Sequence, residues 1–84
     1  MFGRTQEEVN ESIANIATLN IGDQVNVAIT SMDDMGFMVS LTDYNNAEGF
    51  ILCTKPKKKK INSNHTAVVV RIDHSHGFVD LEFV

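Results

Sequence analysis

The most informative segment for the fold is Asp34-Met-Gly-Phe-Met-Val-Ser-Leu-Thr-Asp-Tyr-Asn-Asn-Ala-Glu-Gly-Phe-Ile-Leu52. In its first part Phe37, Val39 and Leu41 occupy alternate positions, which is the period of a half-buried β-strand. The residues at 43–46 are typical of a turn, and those at 48–53 predict another strand. The segment therefore predicts two neighbouring strands joined by a tight turn.

A run of lysines, Lys55-Pro-Lys-Lys-Lys-Lys60, follows the second of these strands. It contains five of the seven basic residues of the chain, although the formal net charge of the whole molecule is −4. The acidic balance argues against nucleic-acid binding over the entire surface. We therefore expect one local positive region on an acidic domain.

The period of two recurs on both sides of this segment. Val25, Val27 and Ile29 predict a preceding strand, and residues 66–73 and 78–83 predict two following strands with a tight turn between them. Five short strands with one longer connection fit a closed barrel, because an open sheet of this size would leave long edges unpaired. We predict an all-β fold, a five-stranded barrel of the oligonucleotide-binding (OB) type.

An amphipathic helix is predicted ahead of the barrel, over residues 5–18. Thr5 and Glu8 have the spacing of a capping box, in which each satisfies an amide at the start of a helix. Apolar residues then recur at helical spacing, at Val9, Ile13, Ile16 and Ala17. The predicted organisation is a helical extension at residues 1–20 and a barrel domain at residues 21–84.

Length and composition limit the classes of protein to which this chain can belong. With 84 residues it forms one small domain without a deep cleft between domains. It has no apolar run long enough to span a membrane, and its N-terminus lacks the features of a signal peptide. Cys53 is the single cysteine, so no internal disulfide can form and we expect a reducing, cytoplasmic location.

Residues suited to catalysis or metal binding are few. His74 and His76 lie near Asp73, but no second cluster of histidine or cysteine completes a tetrahedral metal site. No base is indicated for Cys53, for which a small buried thiol is the commoner role. The glycines are scattered singly rather than gathered in a phosphate-binding loop. We therefore predict a protein that is not an enzyme and has no metal or cofactor.

Several separated motifs together resemble an S1 domain, the RNA-binding barrel named after a ribosomal protein. Within it, Tyr44-Asn-Asn-Ala-Glu-Gly49 resembles the N-terminal domain of the alpha subunit of eukaryotic translation initiation factor 2. The resemblance covers residues 21–83 and leaves out the predicted helix. The other motifs, in order, are Ile21-Gly-Asp-Gln-Val25, Met35-Gly-Phe-Met-Val-Ser-Leu41, Glu48-Gly-Phe-Ile-Leu52, Val68-Val-Val-Arg-Ile-Asp73 and Gly77-Phe-Val-Asp-Leu81.

The resemblance gives the lysine run a specific interpretation. In this family the loop after the third strand carries a serine that stress-activated kinases phosphorylate to stop initiation. Lys57 falls at the position of that serine, and the nearest hydroxyls, on Thr54 and Ser63, do not match it. The chain resembles the short homologues of poxviruses and of other large DNA viruses, which act as pseudosubstrates of the antiviral RNA-activated kinase. The resemblance therefore implies a non-phosphorylatable inhibitor of the kinases that act on the initiation factor.

The resemblance also implies which residues contact the kinase. The family usually has lysine and tyrosine at the positions of His76 and Phe78, so this chain departs from the pattern there. Gly77 and Asp80 are retained. The implied docking residues are Lys55, Lys57, Lys58, Lys59, Lys60, His76, Gly77, Phe78 and Asp80.

Two alternatives remain open at this stage, an initiation-factor domain of a divergent eukaryote and a stand-alone RNA-binding barrel. For RNA, the resemblance points to Phe37 and Phe78 as stacking aromatics, although packing is the commoner role of such rings. Arg71 is the only basic residue in the flanking strands, so neutralisation of phosphates would be weak. We expect a monomer with weak single-stranded RNA binding at most and no membrane association.

Overall fold

The computed structural model describes residues 5–53 and 59–84. Within them one helix and five strands follow in the predicted order, and every predicted strand is confirmed to within two residues at its start. Their bounds are α1 (Gln6–Asn15), β1 (Gln24–Met32), β2 (Gly36–Leu41), β3 (Ala47–Leu52), β4 (Asn64–Asp73) and β5 (Phe78–Phe83).

The five strands close into a barrel in the order β1-β2-β3-β5-β4. Four of the neighbouring pairs are antiparallel, and β3 and β5 are parallel, with Gly49 beside Val79 and Ile51 beside Leu81. Because β1 pairs with both β2 and β4, none of the described strands is left as a free edge. The predicted OB barrel is confirmed.

Buried and outward-facing residues alternate along the strands, and the buried residues form the core. In β1, Val25, Val27 and Ile29 are buried while the residues between them face outward, and β2 repeats the pattern. Two residues that follow the helix join the same cluster. The buried core residues are Ile16, Leu19, Val25, Val27, Ile29, Phe37, Val39, Leu41, Ala47, Ile51, Ala67, Val69, Val79 and Leu81.

The helix begins as predicted and ends earlier. Thr5 is the N-cap, and its hydroxyl accepts a hydrogen bond of 3.1 Å from the Glu8 amide. The helix ends at Asn15, after which the chain turns so that Ile16 enters the core. The prediction for Ala17 was therefore wrong: its side chain is exposed, because the helical period stops before it.

The connections lie at two opposite ends of the barrel. The pairs Gly36–Leu52 and Ala67–Phe83 mark one end, which carries the connection between β3 and β4 and which we call the loop end. The pair Asp73–Phe78 marks the other, which carries the turns at residues 42–46 and 74–77 and which we call the helix end. Strand β5 joins the two ends over a length of about 17 Å.

Candidate functional site

The predicted docking residues do not form one cluster. Lys55, Lys57 and Lys58, together with Thr54, lie outside the described residues. Lys59 and Lys60 precede β4 at the loop end, whereas His76 and Gly77 lie in the turn at the helix end, with Phe78 at the start of β5. Asp80 lies between the two groups, near the middle of β5. The described members of the set therefore extend along the length of the barrel.

The turn between β4 and β5 is organised by the carboxylate of Asp73. Its Oδ1 accepts hydrogen bonds from the Ser75 amide at 3.0 Å, the Ser75 hydroxyl at 2.7 Å and the His76 amide at 3.2 Å. Its Oδ2 lies 3.0 Å from Nδ1 of His76. The Ser75 hydroxyl and then His76 lower the pKa of Asp73 from 3.8 to about 2. This turn is therefore held by its own polar groups.

Gly77 joins this turn to the N-terminal helix. Its φ of +72° lies in the left-handed region, and its amide donates to the Asp73 carbonyl at 2.9 Å. A Cβ at this position would come within 2.7 Å of the Ile13 amide nitrogen and 2.5 Å of the Ser12 Cβ. The turn at residues 74–77 therefore rests directly on α1. No local pattern predicts this contact, because the helix and the turn are far apart along the chain.

Asp80 faces outward between two neighbouring strands. The register places it beside Phe50 of β3 on one side and Arg71 of β4 on the other. Arg71 Nε lies 3.4 Å from Asp80 Oδ2, and the two side chains are 74% and 43% exposed. Arg71, which was predicted to contact RNA, is thus next to an acidic partner. Its charge is partly offset where RNA phosphates would have to bind.

An open groove of about 360 Å³ surrounds this pair on the outer face of the barrel. Leu52 and Val70, which are 64% and 40% exposed, add apolar surface to it. Val70 follows the inward-facing Val69 in the alternation of β4 and therefore faces outward, and the irregularity of the β4–β5 pairing between Val69 and Arg71 leaves Arg71 facing outward beside it. Neither Leu52 nor Val70 was predicted to belong to a site. The residues that line the groove are Phe50, Leu52, Val70, Arg71, Asp80, Leu81 and Glu82.

At the loop end Lys59 contacts an aromatic ring. Its Nζ lies 4.5 Å from the centroid of the Phe83 ring, which is within the range of a cation–π interaction. The carbonyl of Lys60 accepts hydrogen bonds from the amide of Ser63, at 3.2 Å, and from its hydroxyl. The Lys59 contact was not predicted, although Phe83 was recognised as the end of a strand.

The aromatic residues predicted to stack on RNA differ in their exposure. Phe37 is 1% exposed and its ring packs in the barrel core, so the stacking role suggested for it is wrong. The reason is its position: it shares the inward face of β2 with Val39 and Leu41. Phe78 is half-buried and is the one of the two that solvent reaches.

Neither a metal site nor a membrane span is found in the part of the chain that the structure describes. Over residues 5–53 and 59–84, no group of three or more His, Cys, Asp or Glu side chains is arranged to hold a metal ion. In the same ranges no helix has the length and apolar character needed to cross a membrane.

Sequence comparison finds relatives among translation initiation factors, although no protein-family model matches the chain. The eukaryotic translation initiation factor 2 subunit 1 of Dictyostelium discoideum is 41% identical over 66 residues, which cover 68% of this chain and 19% of that protein. The chain thus spans about a fifth of the length of this curated relative.

Solved structures with the same fold include an archaeal chain and a viral protein. A chain of the a/eIF2alpha–aDim2p–rRNA complex of Pyrococcus horikoshii matches with a TM-score of 0.69 and 20% identity, over 77% of this chain and 44% of that chain. A protein of vaccinia virus (Wisconsin strain) matches with a TM-score of 0.56 and 17% identity, over 79% of this chain and 89% of that chain. At such identities the likeness shows the fold.

Proposed function

We propose, because this chain is homologous to the S1 domain of the alpha subunit of translation initiation factor 2, that it inhibits the kinases which phosphorylate that subunit. In this proposal the chain acts as a pseudosubstrate and so sustains translation. The observation that carries the proposal is Lys57, which replaces the acceptor serine while the strand before it still resembles the substrate.

The chemistry of the replacement supports inhibition rather than turnover. A lysine side chain has no hydroxyl to attack the γ-phosphate, so the usual phosphoryl transfer cannot occur at position 57. Its positively charged ammonium group would form charge-assisted hydrogen bonds with the catalytic carboxylate of the kinase or with the phosphates of the nucleotide. Inhibition then depends only on how tightly the chain occupies the kinase.

The geometry of the proposed docking residues also supports the proposal. The side chain of His76 is 71% exposed, and Asp80 lies on the open outer face of β5. The backbone at both residues is already fixed in the free protein. Hydrogen bonds to Asp73 and packing on the helix hold the turn that contains His76, and pairing with β3 and β4 holds the strand that contains Asp80. A surface that is formed before binding loses less conformational entropy when a partner docks.

A transfer assay would test the proposal. We expect the wild-type chain to bind a kinase domain of this class and to lower phosphate transfer to the authentic alpha subunit in proportion to its concentration. The matched variant Lys57→Ser restores an acceptor ahead of the remaining lysines and should itself become phosphorylated. Undiminished transfer at saturating wild-type protein would overturn the proposal.

A second candidate function is binding of single-stranded RNA, as in an initiation-factor S1 domain. It is favoured by the similarity to a chain solved in a complex that contains ribosomal RNA. The burial of Phe37 and the proximity of Arg71 to Asp80 argue against tight binding. A binding constant that falls steeply with salt concentration would favour this function, and no measurable binding at low salt would exclude it.

The proposal also covers the state of the protein, its location and the division of the chain. We propose a monomer that acts in the cytoplasm, binds the kinase rather than a membrane and has no catalytic role of its own. We also propose that residues 21–84 form the functional domain and that residues 1–20 are an extension which supports it.

A further inference from the structure

Phe83, the last residue of β5, contacts the core and the lysine run at once. Its ring centroid lies 5.4 Å from that of the buried Phe37, with an interplanar angle of 77°, and 5.4 Å from that of His65, with an angle of 74°. Two edge contacts of this kind fix the orientation of an aromatic ring. The ammonium group of Lys59 lies against this ring, 4.5 Å from its centroid.

The residues that follow Lys59 are tied to the barrel by hydrogen bonds. The Asn62 amide donates to the Ile29 carbonyl at 2.8 Å, and the Ile29 amide donates to the Ser63 carbonyl at 3.0 Å. The Ser63 hydroxyl and Nε2 of His65 form a hydrogen bond of 2.7 Å. The backbone after Lys59 is therefore attached to β1, and the His65 ring connects this attachment to Phe83.

We propose that Phe83 is a positioning residue, which holds the Lys59 ammonium group at one place on the loop end for contact with an anionic group of the kinase. This inference rests on the proposed function. A free lysine side chain must lose its rotamer entropy when it binds, and a side chain already held over a ring has lost part of it beforehand. The ring covers one side of the ammonium group and leaves N–H donors on the other side for the partner.

Two substitutions distinguish the effect of the aromatic ring from the effect of the size of the side chain. Phe83→Leu keeps an apolar side chain and removes the ring, whereas Phe83→Tyr keeps the ring. In NMR spectra of the wild type we expect the ε-methylene protons of Lys59 to be shifted upfield by the ring current, with the shift lost in Phe83→Leu and kept in Phe83→Tyr. Kinase inhibition should weaken about fivefold in Phe83→Leu and recover in Phe83→Tyr.

A core variant in a strand that carries none of the proposed docking residues controls for loss of stability. Val39→Ala removes two buried methyl groups from β2, so it should lower the thermal midpoint without changing inhibition. A wild-type Lys59 without a ring-current shift would overturn the inference. So would a Phe83→Leu variant that inhibits as well as the wild type. If the wild type does not inhibit at all, the proposed function falls and the inference falls with it.

Discussion

Gly77 packs so closely against Ser12 that no side chain fits between the turn at residues 74–77 and the N-terminal helix. The helix lies outside the part of the chain that resembles the initiation factor by sequence, yet it supports a turn inside that part. Ile16 and Leu19, which follow the helix, anchor it by entering the barrel core. The shape of the proposed docking surface therefore depends on an element that is not itself expected to touch the kinase.

Replacing Gly77 with alanine should destabilise the protein and weaken kinase inhibition. The new Cβ meets both an unfavourable φ, which costs roughly 1–2 kcal/mol in non-glycine residues, and the backbone of the helix. Gly22→Ala is the matched control, because Gly22 has a φ of +95° and nothing within 4 Å of the added atom. Urea unfolding should show the larger loss at Gly77. Equal losses at the two sites would contradict the role of the helix contact.

The Asp73 turn should make stability depend on pH in the acid range. The pKa of Asp73 is about 2 in the folded chain, below its ordinary value of 3.8, so the ionised carboxylate stabilises the fold above about pH 4. That contribution is lost as the pH falls toward 2. The thermal midpoint of Asp73→Asn should therefore lie below that of the wild type at pH 6, and the difference should shrink between pH 4 and pH 2. Asp34→Asn, at an exposed carboxylate, serves as the control; a difference for Asp73→Asn that stays constant with pH would refute the prediction.

Alanine substitutions at Phe37 and Phe78 should affect folding and kinase docking to different extents. Phe37→Ala empties a fully buried site and should lower the free energy of unfolding by about 3–5 kcal/mol. Phe78→Ala, at a half-buried position, should cost less stability and yet reduce kinase inhibition more at temperatures where both variants are folded. Denaturant titration and the transfer assay measure the two effects. The prediction fails if inhibition simply follows stability in the two variants.

Substitutions at Asp80 and Arg71 test the proposed kinase contact and should have little effect on stability. An exposed ion pair contributes at most about 1 kcal/mol, so both Asp80→Ala and Arg71→Ala should stay within that range in urea unfolding. If Asp80 contacts the kinase, Asp80→Ala should weaken inhibition, whereas Arg71→Ala frees the carboxylate and should leave inhibition unchanged or stronger. A loss of inhibition in Arg71→Ala alone would instead assign the contact to the arginine.

Much of the fold could be predicted because alternation is a local property. Val25, Val27 and Ile29 show within five residues which side of their strand faces the core, and the structure agrees. The same reasoning applied to Phe37 would have placed its ring inward beside Val39, which excludes a stacking role. The outward position of Arg71 directly after the exposed Val70 could not be obtained in this way, because it depends on an irregularity in the pairing of β4 with β5.

The closed barrel could be predicted from the chain alone, since it depends on the order and the local spacing of residues, and the proposed role of Lys57 came from the family resemblance of the sequence around it. The arrangement of the proposed docking residues could not be predicted, because it is a product of tertiary structure. Strand direction and register carry His76 to the helix end and Lys59 to the loop end, and they bring Gly77 against Ser12 and Phe83 against Lys59. Such contacts join residues that are distant along the chain, so they form only when the whole barrel closes.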